Sequence, residues 1–295
     1  MDTTKQVYEA AASGWQHGLY ADIKHTFRAP LVNWIFRTTM ANEPEFLRYA
    51  WGQVKPVFET KTFADFSVTY RDTILAELET GHELPGYEPT DVGLTPSAFR
   101  ELRGQVATFD IVAPRLAILF ETMDRGLNDG DVGTTPDMSE AACAPFPHGL
   151  DRNRGLAPTM LPQGQVPDDA QPAIDGLTEF HGLGDSLPSI YRCLGQWPSY
   201  LDTAWHDLKP VLEGDAFEQA VTESEALKGS FVEGVAFRPQ LDPTTLRAVG
   251  FTETTIADVQ DLFSSFNGGA VRTVIPALPL FAKTVGAEGK RNALR

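Results

Sequence analysis

Asp110 and Asp185 are the two aspartates whose sequence surroundings suit proton-transfer chemistry. Asp110 lies in the apolar run FDIVAP, and Asp185 lies in the segment HGLGDSLP. A carboxylate buried among apolar walls has a raised pKa and can act as a general base on water. Each residue also has a structural interpretation. Asp185 is placed to cap a helix that begins at Pro188. Asp110 is placed to satisfy buried backbone groups or to pair with Arg115 and Arg272.

The common catalytic motifs are absent from the sequence. It contains no GxGxxG, GxxxxGK[ST], HExxH or GxSxG pattern. Its 6 histidines do not pair at i, i+3 or i, i+4 spacing. Cys143 and Cys193 form no CxxC motif and no metal-type spacing. The sequence therefore predicts no metal site, and two ordinary thiols favour a cytoplasmic protein.

Charge and hydropathy exclude several classes of partner. The formal net charge is -16 over 295 residues, which argues against nucleic acid and anionic membrane surfaces. No apolar run approaches the roughly 20 residues that span a bilayer. The first residues show no secretory signal, which again favours a cytoplasmic location. Only 8 of the 24 basic residues are lysine, and this acidic, lysine-poor composition favours a salt-adapted host, a halophile.

One helical phrase occurs twice in the chain: WGQVKPVFE at 51–59 and WHDLKPVLE at 205–213. Pro44–Glu59 aligns with Pro198–Glu213 at an offset of 154, with 8 of 16 residues identical. Lower similarity continues at an offset of 157, where 93–123 aligns with 250–280. The order and spacing of these matches predict an internal repeat, with two pseudo-twofold halves packed on each other.

Each half has the pattern of helices. Apolar residues of the first phrase recur at the spacing of one helix face. Pro56 lies inside this pattern and lacks an N–H, so the helix should kink or end there, and again at Pro210. Thr95 and Thr252 are predicted N-caps of later helices. Alternating strand patterns are absent.

These patterns predict an all-α fold of two helical-bundle repeats. The first repeat is expected at 1–127 and the second at 171–295. Residues 128–170 are rich in proline and glycine and form a predicted linker between them. The linker is either a mobile tether or a strap over the junction of the two halves.

Four stretches carry a resemblance to a known family. They are 20–51 (YADIKHTFRAPLVNWIFRTTMANEPEFLRYAW), 107–123 (ATFDIVAPRLAILFETM), 181–201 (HGLGDSLPSIYRCLGQWPSYL) and 261–281 (DLFSSFNGGAVRTVIPALPLF). In order and content they resemble the DehI-type, group I 2-haloacid dehalogenases. The resemblance implies an all-helical homodimer with an active site between the halves. It also implies hydrolysis of a small halogenated carboxylic acid without a cofactor, because an aspartate activates water that displaces halide directly.

The positions that match the family's site differ in part. The family's catalytic aspartate falls on Ile190, between Ser189 and Tyr191, and isoleucine cannot accept a proton. The family's asparagine before a helix proline falls on Ala113, and an earlier asparagine falls on Asp110. The predicted substrate-binding residues are Leu31, Trp34, Ala113, Ser189, Ile190, Tyr191, Phe266 and Asn267.

Two functions stay open from the sequence. In the first, Asp185 or Asp110 replaces the lost base and the chain dehalogenates 2-haloalkanoic acids. In the second, the chain is a catalytically altered relative whose drier pocket binds a small carboxylic acid without dehalogenating it. A carboxylate in hydrogen-bond reach of a water in the pocket favours the first, and a wholly apolar pocket favours the second.

Overall fold

The computed structural model describes residues 1–162, 164–184 and 187–291. Helices dominate these ranges, which contain no β-strand, and an isolated bridge joins Thr60 and Pro145. The predicted all-α class is therefore confirmed. None of the described helices is both long and apolar enough to cross a membrane. The α-helices are α1 Trp15–Phe27, α2 Trp34–Asn42, α3 Pro44–Phe58, α4 Lys61–Gly81, α5 Pro96–Leu127, α6 Glu140–Cys143, α7 Gln171–His181, α8 Ser189–Leu194, α9 Pro198–Leu212, α10 Asp215–Glu233, α11 Pro243–Ala248, α12 Glu253–Gly268 and α13 Val271–Thr284.

The helix bounds follow the two sequence offsets. α3 and α9 begin and end 154 residues apart, and α4 and α10 begin at the same offset. α5 begins 157 residues before α12 begins, and it ends 157 residues before α13 ends. This agreement supports the predicted duplication, and the division into two repeats remains a prediction.

The two halves differ where α5 is continuous and its counterpart is broken. α5 runs for 32 residues, whereas α12 ends at Gly268 and α13 begins at Val271. Gly269 has an extended backbone, and a Cβ on it would lie 2.5 Å from the carbonyl oxygen of Ser265. The break therefore places a turn, and the side chains beside it, in the middle of the second half.

α5 is the central helix of the molecule. Every residue from Gln105 to Met123 is buried, so this helix contacts protein on all sides. α12 and α13 pack along α5, and α10 packs on α4. Elements of both halves thus meet along α5 and α13.

Pro56 and Pro210 lie in the last turns of their helices. α3 ends two residues after Pro56, and α9 ends two residues after Pro210. A proline cannot donate to the preceding turn, and both helices stop rather than continue past the lost hydrogen bond. Thr95 and Thr252 accept hydrogen bonds from Ala98 and Thr255, which are the predicted N-cap contacts.

Segment 128–170 contacts both halves. The Lys61 amide donates to the Ala144 carbonyl at 2.7 Å, beside the start of α4. The Leu161 amide donates to the Arg192 carbonyl on α8 at 3.1 Å. These contacts favour the strap over the mobile tether.

Candidate functional site

Asp110 is held in an ion-pair network rather than facing an open pocket. Its side chain is 0% exposed. Arg71 Nε donates to both carboxylate oxygens at 2.7 and 2.9 Å, and Arg154 Nη2 donates at 2.6 Å. The Gly289 amide is a third donor and adds a fourth hydrogen bond, at 3.0 Å. Because these donors occupy the carboxylate, the position does not favour Asp110 as the base that activates water.

The pairing partners of Asp110 also differ from those expected. Arg115 binds Asp151 at 3.1 Å instead, and Arg154 bridges Asp110 and Asp151. We call Arg71, Arg115, Arg154, Asp110 and Asp151 the arginine–aspartate network. Burial lowers the pKa of Arg71, but the charge and hydrogen bonds of Asp110 outweigh burial and raise it. Burial lowers the pKa of Arg115 to about 10.

The second predicted base, Asp185, lies outside the residues that the structure describes. Nearby, α8 carries the three residues that match the family's catalytic step. Ile190 and Tyr191 are buried, and Ser189 is half-buried. The position that matches the family's aspartate is thus an apolar side chain within the core.

Tyr191 takes part in a buried hydrogen-bond chain that the sequence did not predict. Its hydroxyl lies 2.5 Å from His181 Nε2, and His181 Nδ1 lies 2.7 Å from Thr273 Oγ1. The Thr273 hydroxyl donates to the Ala270 carbonyl, so it accepts from Nδ1–H and leaves Nε2 to accept from Tyr191. Burial lowers the pKa of His181 to about 3, which keeps the imidazole neutral.

A narrow, partly open cleft lies beside the break between α12 and α13. It separates elements of the two predicted halves, namely α4 and α5 from α10, α12 and α13. Two predicted binding residues, Phe266 and Asn267, line it. The lining residues are Tyr70, Ala117, Phe120, Glu225, Lys228, Phe266, Asn267, Val271, Arg272, Ile275 and Pro276.

Aromatic residues from both halves form one wall beside this cleft. Trp34 stacks on Phe266 with ring centroids 4.8 Å apart, and Phe120 packs on Phe266 at 5.3 Å. Ala113 is buried on α5, one turn before the lining residue Ala117. Leu31 is buried in the core before α2. The structure therefore brings Trp34, Phe266 and Asn267 together and leaves Asp110 elsewhere.

The polar side of the cleft contains residues that sequence reasoning missed. Lys228 is buried and lies 2.7 Å from Glu225 and 3.7 Å from Glu121. Asn267 Nδ2 donates to Glu121 and Asp124, both at 3.0 Å, while its buried Oδ1 has no donor. The sequence around Lys228, SEALKGS, has the pattern of an exposed helix face, so it carried no signal of burial.

The arrangement provides carboxylates, a cation and aromatic walls at one place. Carboxylates there can accept a proton from water, and the aromatic wall can surround an apolar carbon atom. Within the described ranges, no group of three or more His, Cys, Asp or Glu side chains has metal-binding geometry. The cleft is not wholly apolar, which is the feature that favours chemistry over simple binding.

Comparisons with known proteins agree on one family. The sequence model of the family described as halocarboxylic acid dehydrogenase DehI matches residues 30–156. A configuration-inverting 2-haloacid dehalogenase of Pseudomonas sp. (strain 113) is 25% identical over 256 residues, covering 81% of this chain and 80% of the relative. An (R)-2-haloacid dehalogenase of Rhizobium sp. (strain NHG3) is 26% identical over 216 residues, covering 70% of this chain and 79% of the relative.

Solved structures agree with this chain in fold. A D-2-haloacid dehalogenase mutant in complex with D-2-CPA matches 95% of both chains with a TM-score of 0.82 and 19% identity. A complex of a D-2-haloacid dehalogenase with L-LA matches with a TM-score of 0.81 and 19% identity, again over 95% of both chains. The helical architecture is therefore shared with these enzymes.

Proposed function

Since this chain belongs to the DehI-type family of 2-haloacid dehalogenases, we propose that it hydrolyses the carbon–halogen bond of a small 2-haloalkanoic acid. The observation that carries this proposal is the similarity to two such enzymes over 70% or more of the chain. The cleft with its aromatic wall supports it, because an apolar halogen-bearing carbon needs such surroundings.

The proposed reaction is a single displacement. A water oxygen attacks the halogen-bearing carbon, and halide leaves with the bonding electron pair. The water gives its proton to a carboxylate base. The product is a 2-hydroxy acid of inverted configuration, and no covalent intermediate with the protein forms.

We propose Asp185 as this base. It precedes the matching Ser189–Ile190–Tyr191 step by a few residues, and Ile190 cannot take the proton. Glu225 is the competing carboxylate because it lines the cleft, but it already pairs with Lys228 at 2.7 Å. Asp110 is tied into the arginine–aspartate network.

The test is product formation from (R)- and (S)-2-chloropropionate at low salt and in molar potassium sulfate. Lactate and its configuration are measured, together with chloride at low salt. We expect lactate of inverted configuration from the wild-type protein. Asp185→Asn should lower the rate by about 10²-fold or more, as loss of a general base does. Glu225→Gln should lower it less.

Asp168→Asn is the matched control, because Asp168 is an exposed aspartate of segment 128–170. It should leave the rate unchanged. A rate lost in Glu225→Gln and kept in Asp185→Asn would move the base into the cleft. Lactate of retained configuration would contradict the single displacement.

A second function is favoured by one observation. Ile190 and Ala113 are buried apolar residues at two positions where the family has polar side chains. This supports a catalytically altered relative that binds a small carboxylic acid without dehalogenating it. Propionate binding by folded protein that forms no lactate from either enantiomer would establish this alternative.

The oligomeric state, the cellular location and the adaptation to salt are also proposals. The family resemblance predicts a homodimer, and composition favours a salt-adapted, cytoplasmic protein. Light scattering at low and molar salt gives the molar mass in solution. A mass of one chain at both salt concentrations would contradict the homodimer.

A further inference from the structure

Arg37 on α2 is a buried arginine without an ionic partner. It is 7% exposed. Its Nε and Nη2 atoms are buried and have no hydrogen-bond acceptor. Among the residues that the structure describes, no Asp or Glu forms an ion pair with it. A guanidinium removed from water without such a partner is costly, so this position calls for an anion.

The two unpaired nitrogens of Arg37 define one edge of the guanidinium. Nε–H and one N–H of Nη2 point in the same direction and match the two oxygens of a carboxylate. Elsewhere in the molecule, the same edge of Arg71 binds Asp110 differently, with Nε donating to both carboxylate oxygens and Nη2 donating to the backbone carbonyl. The vacant edge of Arg37 therefore has the geometry of a carboxylate-binding group.

One cation and one carboxylate of the protein act on the charge of Arg37. Arg192 on α8 lies near enough to repel it, and burial together with Arg192 lowers the pKa of Arg37 despite the nearby Tyr8. Glu9 is also near, but its carboxylate binds Lys24 at 2.5 Å and the Val32 amide at 3.2 Å. The Tyr8 ring stabilises the cation from one face, 4.9 Å from the guanidinium carbon.

Arg37 also lies close in sequence to the predicted binding residues. Trp34, which stacks on Phe266, is one turn before it on α2. Asn33, one turn before on the same helix face, has a buried Oδ1 without a donor. Polar atoms that lack partners and an aromatic wall thus meet at the start of α2.

We propose that Arg37 binds the carboxylate of the small acid, with Nε–H and Nη2–H each donating to one oxygen. The identity of the acid rests on the proposed function. Arg192 on α8 contributes charge from the other half. Arg37 orients the substrate and takes no part in proton transfer.

The test is binding of propionate, which lacks a halogen and cannot be hydrolysed. Calorimetry compares the wild-type protein with Arg37→Met, Arg37→Lys and Arg192→Gln. We expect Arg37→Met to weaken binding about tenfold or more, as loss of a charged hydrogen-bond pair does. Arg37→Lys should restore only part of the affinity, because lysine lacks the planar edge. Arg192→Gln should weaken binding less than Arg37→Met.

Arg48→Met is the matched control, since Arg48 also lies over an aromatic ring, Trp15, at 5.3 Å. It should bind propionate like the wild type. If Arg37→Met does not fold, the Nε–H signal of Arg37 in the wild-type NMR spectrum should shift on propionate addition. An unmoved signal, or an unchanged affinity in Arg37→Met, overturns the proposal.

Lactate formation separates this proposal from the proposed function. If propionate binding depends on Arg37 and no lactate forms, the result supports carboxylate binding by Arg37 and contradicts dehalogenation. If the wild-type and Arg37→Met proteins form lactate with the same KM, the result supports the proposed function and contradicts carboxylate binding by Arg37. In an active enzyme we expect Arg37→Met to raise KM about tenfold or more, while a conserved kcat would show that chemistry is intact.

Discussion

Buried arginines occur in two contrasting settings in this chain. In the arginine–aspartate network, three arginines share two aspartates, and Arg71 and Arg115 are almost fully buried. Arg37 is nearly as buried but forms no ion pair with any residue that the structure describes. The same side chain is therefore balanced by a carboxylate in one place and lacks an ionic partner in the other.

The closed network connects segments that are distant in sequence. Arg71 donates to the Lys290 carbonyl and Arg154 to the Ala287 carbonyl, so the C-terminal segment is bound to α4 and to segment 128–170. Both aspartates are paired within the network, and Arg115 is balanced by Asp151 through Nη1, although its buried Nε and Nη2 have no acceptor. Arg37 lacks both an acceptor at this edge and an ionic partner among the described residues, and this contrast is why we assign ligand binding to Arg37 and stability to Asp110.

The largest expected loss in the free energy of unfolding comes from breaking the arginine–aspartate network. Asp110→Asn removes the charge that faces Arg71 and Arg154, both within 2.7 Å. Loss of one member of a buried ion pair costs about 3–5 kcal/mol, because the remaining charges stay buried. Urea unfolding should show this decrease in the free energy of unfolding.

Asp72→Asn is the control for Asp110→Asn. Asp72 pairs with Arg291 at 3.1 Å, but its side chain is 41% exposed. Exposed pairs contribute about 0–1 kcal/mol, so this variant should unfold like the wild type. A folded Asp110→Asn protein should still form lactate. Complete loss of lactate with unchanged stability would return Asp110 to the list of candidate bases.

The second test replaces Arg71 and Arg37, each in a separate variant, with methionine. Arg71→Met leaves Asp110 without the Nε donor that binds both carboxylate oxygens and should cost about 3 kcal/mol or more. Arg37→Met removes an unpaired buried charge and loses a cation–π contact of about 0.5–1 kcal/mol. Its net effect on the free energy of unfolding should stay within about 1 kcal/mol of zero.

Chemical denaturation of both variants measures this difference. Equal destabilisation would mean that Arg37 is as well satisfied as Arg71 without a ligand. The two arginines would then contribute equally to stability, and the unpaired edge of Arg37 would no longer support ligand binding there. A stabilised Arg37→Met would strengthen the case, since groups kept at a cost in stability are commonly functional.

The helical fold was predictable because its signals are local. Thr95 and Thr252 accept the expected capping bonds, and the apolar stripe of α3 is buried as its spacing predicted. The break between α12 and α13 was not predicted. Its cause is the backbone of Gly269, whereas the matching part of α5 continues as helix.

The candidate site was less predictable because it depends on distant partners. Asp110 pairs with Arg71 and Arg154, which are 39 and 44 residues away, and no pattern near Asp110 indicates them. Arg37 and Lys228 were missed for the opposite reason, since charged residues on helices are usually solvated. Phe266 and Asn267 were predicted from the resemblance, and both line the cleft.

The smallest expected change in the free energy of unfolding concerns His181, a buried ionisable group that stays neutral. Its folded pKa, about 3, lies below the unfolded value of about 6.5. The unfolded chain therefore takes up a proton first as pH falls. The stability linked to neutral His181 is present above about pH 6.5 and is lost progressively toward pH 3.

His181→Gln removes this titration, so its stability should depend less on pH than that of the wild type. Between pH 6.5 and 5 the wild-type protein should lose about 2 kcal/mol more than the variant, at about 1.4 kcal/mol per pH unit. His206→Gln, which changes an exposed histidine, should keep the wild-type slope. Parallel curves for wild type and His181→Gln would mean that His181 accepts a proton in place. The hydrogen bonds to Tyr191 and Thr273 would then have to rearrange around a charged ring, and burial beside α8 would not by itself keep a side chain neutral. His181 would then no longer serve as the buried ionisable group that stays neutral, against which the charged arginines are compared.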